Sequence, residues 1–103
     1  MVHNEFVYHN IAMGVRFIPS AGKHGFTLAE AVRAIENAVG HVYGFTKPQP
    51  PATIRPHLFI GPRSPTDRSL IEVFLEVRGA DIKVFHVMFA QEENLNLIGL
   101  SYR

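Results

Sequence analysis

"SLIEVFLEVRGADIKVFHVMF", residues 69–89, decides the fold. Two apolar runs, 69–77 and 81–89, are rich in Val, Ile and Phe and alternate with polar residues, which predicts strands. Between them Gly79-Ala80 supplies a two-residue corner with glycine first, as a type II′ hairpin turn prefers. The corner sets a register: Val77 faces Ile82, Glu76 faces Lys83, Leu75 faces Val84, Phe74 faces Phe85 and Val73 faces His86. One face then carries Ile71, Val73, Leu75, Val77, Ile82, Val84, His86 and Met88, an almost wholly aliphatic set that predicts cover by a helix. The other carries Glu72, Phe74, Glu76, Lys83, Phe85 and Val87, a mixture of charge and rings.

Upstream, "IRPHLFIG", 54–61, predicts a third strand, which Pro56 makes start late or bulge. Its alternation sends Ile54, Leu58 and Ile60 to the core and Arg55, His57 and Phe59 to the mixed face. "TKPQPPAT", 46–53, is a loop, since its prolines deny a sheet its donors. "HVYGF", 41–45, predicts a short strand. From 27 to 39 the spacing of Leu28, Ala31, Val32, Ile35 and Val39 predicts a helix, opened by a Thr27/Glu30 capping box and ended by Gly40. "GVRFI", 14–18, predicts a strand stopped by Pro19. The first thirteen residues fit neither period. "QEENLNL", 91–97, predicts a short terminal helix with Leu95 and Ile98 on the sheet. The expected architecture is therefore α+β: an N-terminal strand and helix, then an antiparallel β-meander, with the helix on one sheet face. Residues 1–103 form one domain, with 1–13 as an N-terminal extension.

Of the 103 residues 47% are hydrophobic and 18% charged, enough apolar surface for one packed core. A formal net charge of +1 excludes a strongly basic coat, so contact with nucleic acid has to come from a local patch. Without cysteine there is neither disulfide nor thiolate metal site, and the cytoplasm is the expected location. "MVHNEFVYHNIAMG" lacks the basic start and sustained apolar run of a signal peptide, and no stretch approaches the ~20 apolar residues of a spanning helix, so no membrane partner is expected. His3, His9 and His41 have no metal-ligand spacing, and "GPRSPTDRS" lacks the glycines and lysine of a phosphate loop, so neither metal nor other cofactor is expected.

The mixed face gathers Arg55, His57, Glu72, Glu76 and Lys83 around Phe59, Phe74 and Phe85. Cations that neutralise phosphate, rings that stack unpaired bases, and a histidine that moves a 2′-hydroxyl proton are the parts of an RNA-cleaving surface. The plainer reading is a solvated sheet face whose three phenylalanines are covered by a terminal segment or a second subunit. His86, placed among aliphatic residues, is a core histidine bonded to backbone unless a bulge turns it to the other face. "KHGFTLAEA", 23–31, sets Lys23 and His24 against a helix start, where an anion is welcome, or forms an ordinary hydrophilic turn.

Taken in order, "FIPSAGKHGFTLAEAVRAIENAV", "LFIGPRSPTDRSLIEVFLEV" and "IKVFHVMFA" resemble the RelE/BrnT-like bacterial toxins over residues 14 to 90. The resemblance implies an antiparallel sheet with helices against one face, metal-independent mRNA cleavage, and an antitoxin protein as partner. Lys23 and His24 match the lysine and histidine of the family's Lys-His-Gly, and Arg55 lies near the charged residue before its second strand. Where BrnT-like toxins end their last strand in Ser-Ala-Arg and further basic residues, this chain has "HVMFAQEENL", with His86 and Met88 for the serine and arginine and Glu92 and Glu93 in place of positive charge. With the mixed face added to the resemblance, the expected catalytic group is Lys23, Arg55, His57 and His86, in which His57 or Lys23 manages protons and Arg55 stabilises the charged intermediate. Lys83, Phe59, Phe74 and Phe85 are the RNA-holding group. The alternative is a non-catalytic interaction module, a homodimer joined through the aromatic face, which the acidic turn favours.

Overall fold

The computed structural model describes residues 5–8, 11–48 and 50–100. Six strands form one sheet: β1 (Glu5–Tyr8), β2 (Ile11–Phe17), β3 (Gly40–Val42), β4 (His57–Pro62), β5 (Leu70–Arg78) and β6 (Asp81–Phe89). Their order is β1-β2-β6-β5-β4-β3, with every neighbouring pair antiparallel except β2 and β6. Two helices complete the α+β fold, α1 (Leu28–Glu36) and α2 (Glu92–Leu97). Much of the ambiguous N-terminal stretch pairs β1 on β2, while His3 and His9 lie outside the described residues. Among the described residues no helix is long and apolar enough to cross a membrane.

The capping box at α1 is formed: Glu30 N–H donates to Thr27 Oγ1 at 3.1 Å, and Thr27 N–H donates to Glu30 Oε1 at 2.8 Å. The helix ends at Glu36 rather than reaching Val39, because Asn37 takes the cap and Gly40 is drawn into β3. β4 begins at His57, just after Pro56.

The β5–β6 corner sits where the sequence put it, with Gly79 at φ +60° and Glu76 opposite Lys83. Beyond Leu75↔Val84 the register shifts: Phe74 faces His86 and Val73 faces Val87. Phe85 is thus the extra residue of a β-bulge, and the expected Phe74–Phe85 and Val73–His86 pairs do not form. The cause is packing. Strict alternation would bury His86 under α1 and wet Val87, whereas the bulge buries Val87 completely and sends His86 to the opposite face. Burying one valine side chain is worth about 1.5–3 kcal/mol, and an unpartnered imidazole in the core would cost energy besides. Ser20, from the 3-10 turn Pro19–Gly22, donates its hydroxyl to the Phe85 carbonyl at 2.8 Å and so satisfies the bulge.

The sheet has two apolar sides. On one, Ala31 and Ala34 of α1 meet Val15, Ile71, Val73, Leu75, Val84 and Val87. On the other, Leu95 and Ile98 pack on Leu58, Ile60 and Phe74. The expectation that Leu58 and Ile60 share the α1 face is overturned by the register Leu58↔Phe74 and Ile60↔Glu72, which puts them under α2. Consequently His57 and Phe59, opposite Leu75 and Val73, belong to the α1 side. Gly61 explains the choice: a Cβ there would run into the Ala34 backbone carbonyl, so only glycine lets α1 lie this close to β4. Gly61→Ala is expected to destabilise by about 3 kcal/mol, the upper end for overpacking because backbone cannot yield as a side chain can; urea denaturation measures it.

Candidate active site

The part of the second face that α2 leaves open forms a cavity of about 710 Å³. β5 contributes Phe74, Glu76 and Arg78; β6 contributes Lys83, Phe85 and His86. Lys23 closes one side just after the 3-10 turn, and the proline-rich loop with Thr46, Lys47, Pro48 and Pro51 closes the other. Four cations thus surround a single carboxylate among the described lining residues. Glu76 is itself engaged: Arg78 Nη2 donates to its Oε1 at 2.9 Å and Lys83 Nζ stands 4.0 Å away. Lys23 remains exposed.

His86 is the centre of this site. Its ring stacks on Phe74, with centroids 4.0 Å apart and planes 24° from parallel. Its Nε2 lies 2.8 Å from Glu72 Oε2. Glu72 is completely buried and accepts at both oxygens. Gln91 N–H and Asn94 Nδ2 donate to Oε1 at 2.9 Å each, and Gln91 Nε2 donates to Oε2 at 3.1 Å. Burial alone would push the Glu72 carboxyl up; the hydrogen bonds from His86, Asn94 and Gln91 outweigh it and hold the group below the ordinary carboxylate range. An ionised Glu72 assigns the ring proton of neutral His86 to Nε2, leaving Nδ1 as the acceptor. Nδ1 has no hydrogen bond to another described residue. His24, exposed beside Lys23, meets the His86 ring edge-on at 5.9 Å between centroids.

The structure therefore divides the sequence-derived group. Lys23, Lys83, Phe74, Phe85 and His86 line one cavity. Arg55, His57 and Phe59 are not among its described lining residues. His57 Nδ1 accepts the Gly44 N–H at 2.8 Å, and Arg55 Nη2 donates to the Gly44 carbonyl at 2.7 Å, so the two hold Gly44 by both of its backbone polar groups, at a turn with φ +63°. Phe59 stacks on His41 at 5.4 Å, with Tyr43 alongside at 6.2 Å. All three phenylalanines are half-buried, but they do not form one cluster: Phe45 covers Phe74 at 4.7 Å, and Phe59 lies on the other side of the sheet. His86 is not a core histidine bonded to backbone; its partner is Glu72, which sequence reading left as one charge among several on the mixed face. The available signal was a histidine interrupting an aliphatic pattern in β6 and a glutamate doing the same in β5.

Among the described residues no group of three or more His, Asp or Glu side chains is placed to hold a metal ion. Comparison with protein-family models, with curated proteins and with solved structures returns no match.

Proposed function

We propose that this chain is a toxin-like endoribonuclease that cleaves single-stranded RNA without a metal, in the cavity floored by His86, acting in the cytoplasm and restrained by an antitoxin protein. The observation that carries the reading is the buried Glu72 carboxylate holding His86 at 2.8 Å within a cavity of cations and rings. Glu72 fixes the ring, His86 Nδ1 takes the 2′-hydroxyl proton, and the 2′-oxygen attacks the adjacent phosphorus. Lys23 and Lys83 neutralise the phosphate as negative charge develops on it, and Phe85 offers a surface for a base, while Phe74, held between His86 and Phe45, steadies the His86 ring instead. Arg55 and His57, which the sequence reading nominated for chemistry, are reassigned to holding the turn at Gly44. The antitoxin would cover the mouth of the cavity, matching its positive charge with an acidic segment.

Purified protein with excess chelator is expected to cut a fluorescent single-stranded RNA and leave a duplex of the same sequence intact. No cleavage across a panel of RNA sequences, together with no binding, would refute the reading. Binding should weaken with salt along a log–log slope of about −2, on the order of −0.7 for each of three phosphates neutralised, and Lys23→Ala or Lys83→Ala should each flatten it by about 0.7. Fluorescence anisotropy titrations between 50 mM and 200 mM salt, a range set by the usual size of this effect, measure the slope.

A further inference from the structure

We propose that His24 is the proton donor to the leaving 5′-oxygen, opposite His86 as acceptor of the 2′-hydroxyl proton; this rests on the ribonuclease reading above. In-line displacement at phosphorus places the entering and leaving oxygens at opposite apices, so acid and base must stand apart with the phosphorus between them. The two imidazoles meet edge to face, with centroids 5.9 Å apart and planes inclined at 75°; His24 is exposed and outside the cavity lining, so its side chain has to turn away from His86 for a phosphate to enter between them. Their surroundings differ as the two tasks demand. His86 is partly buried and aligned by Glu72, whereas His24 is exposed on the turn between Gly22 and Gly25, the latter at φ +87°. An exposed ring on a glycine-flanked turn can reach a leaving group and exchange its proton with water. Lys23, its chain neighbour, lines the cavity and would hold the phosphate from the same side.

The step balances within the two rings. The 2′-O–P bond forms as the 2′-hydroxyl proton passes to His86 Nδ1. The P–O5′ bond breaks as His24 gives its proton to the departing oxygen. The products are a 2′,3′-cyclic phosphate and a 5′-hydroxyl, and proton exchange with water restores both histidines.

The test compares RNA with uridine 3′-(4-nitrophenyl phosphate), whose 4-nitrophenolate leaves without a proton. His24→Ala should lose about 100-fold on RNA yet keep most of its rate on the nitrophenyl ester. His86→Ala should lose on both, because the 2′-hydroxyl must be deprotonated in either case. Equal losses for His24→Ala on the two substrates, or none on RNA, would overturn the assignment while leaving the ribonuclease reading intact. A loss confined to RNA in Lys23→Ala, with His24→Ala unaffected, would also overturn it by transferring the donor role to the lysine. A parent protein inactive on both substrates would sink both proposals. Thermal melting of His24→Ala should match the parent, since the side chain is exposed, so a loss of activity cannot be ascribed to unfolding.

Discussion

Glu72→Ala is expected to lower stability by about 3–5 kcal/mol, the cost of breaking a buried, hydrogen-bonded charge cluster. Three side chains lose their acceptor at once: the His86 imidazole, the Gln91 amide and the Asn94 amide, together with the Gln91 backbone N–H. Gln91 is the N-cap of α2 and Asn94 lies in its first turn, so the helix loses its anchor to the sheet as well as a hydrogen-bonded charge. For a domain of this size, whose total stability is typically on the order of 5–15 kcal/mol, such a loss is a large fraction. The melting temperature should fall on the order of 15 °C. Glu72→Gln, which keeps the shape and one acceptor oxygen, should lose less.

The same group sets an acid limit. The folded state holds the Glu72 carboxyl below its ordinary value of 4.5, so its stabilisation is fully present above that pH. It is lost as pH falls through the lower folded value, because protonation then turns an acceptor oxygen into a donor among groups that themselves donate to it. Melting curves of the parent should therefore drop steeply below pH 4.5, while Glu72→Gln should follow a shallower course. Parallel curves for the two proteins would show that Glu72 is not the titrating group.

His86→Ala is expected to reduce RNA cleavage by about 10²–10⁴-fold, the usual contribution of a positioned base, whereas His57→Ala should cleave nearly as the parent does. The contrast follows from what each ring touches. His86 lines the cavity and is aligned by an ionised glutamate; His57 already spends Nδ1 accepting the Gly44 N–H. His57→Ala should instead cost about 1 kcal/mol of stability, one net hydrogen bond at the turn after β3. Because His86→Ala also removes a donor to Glu72, His86→Gln provides the control: its amide can still donate to the carboxylate but cannot serve as a base. His86→Gln should melt close to the parent and be as inactive as His86→Ala. Full cleavage by His86→Gln would exclude a base role at this position, and a loss in His57→Ala with retention in His86→Ala would move the chemistry to the α1 side of the sheet.

What the sequence determined by itself were features governed by near neighbours. Thr27 and Glu30 wrote their capping box, Gly79-Ala80 its corner, Pro56 the late start of β4, and the alternation of 70–84 the sheet face that α1 covers. Each is settled within a few residues, by a dihedral preference or a local hydrogen bond, so no distant partner is needed to infer it. The assignments that tertiary structure alone decided are those in which two local solutions were close in energy. In β4, either alternating set can be buried, because α1 and α2 cover opposite faces and both demand apolar residues; the fit of Gly61 against Ala34 settles it and carries His57 and Phe59 away from the cavity. In β6, an unbroken alternation and a bulge differ by one residue, and only the combined burial of Val87, the Ser20 bond to Phe85 and the waiting Glu72 selects the bulge. That one-residue shift takes His86 out of the core and into the cavity, a result no periodicity could contain, because the groups that reward it lie 14 and 65 residues away in the chain.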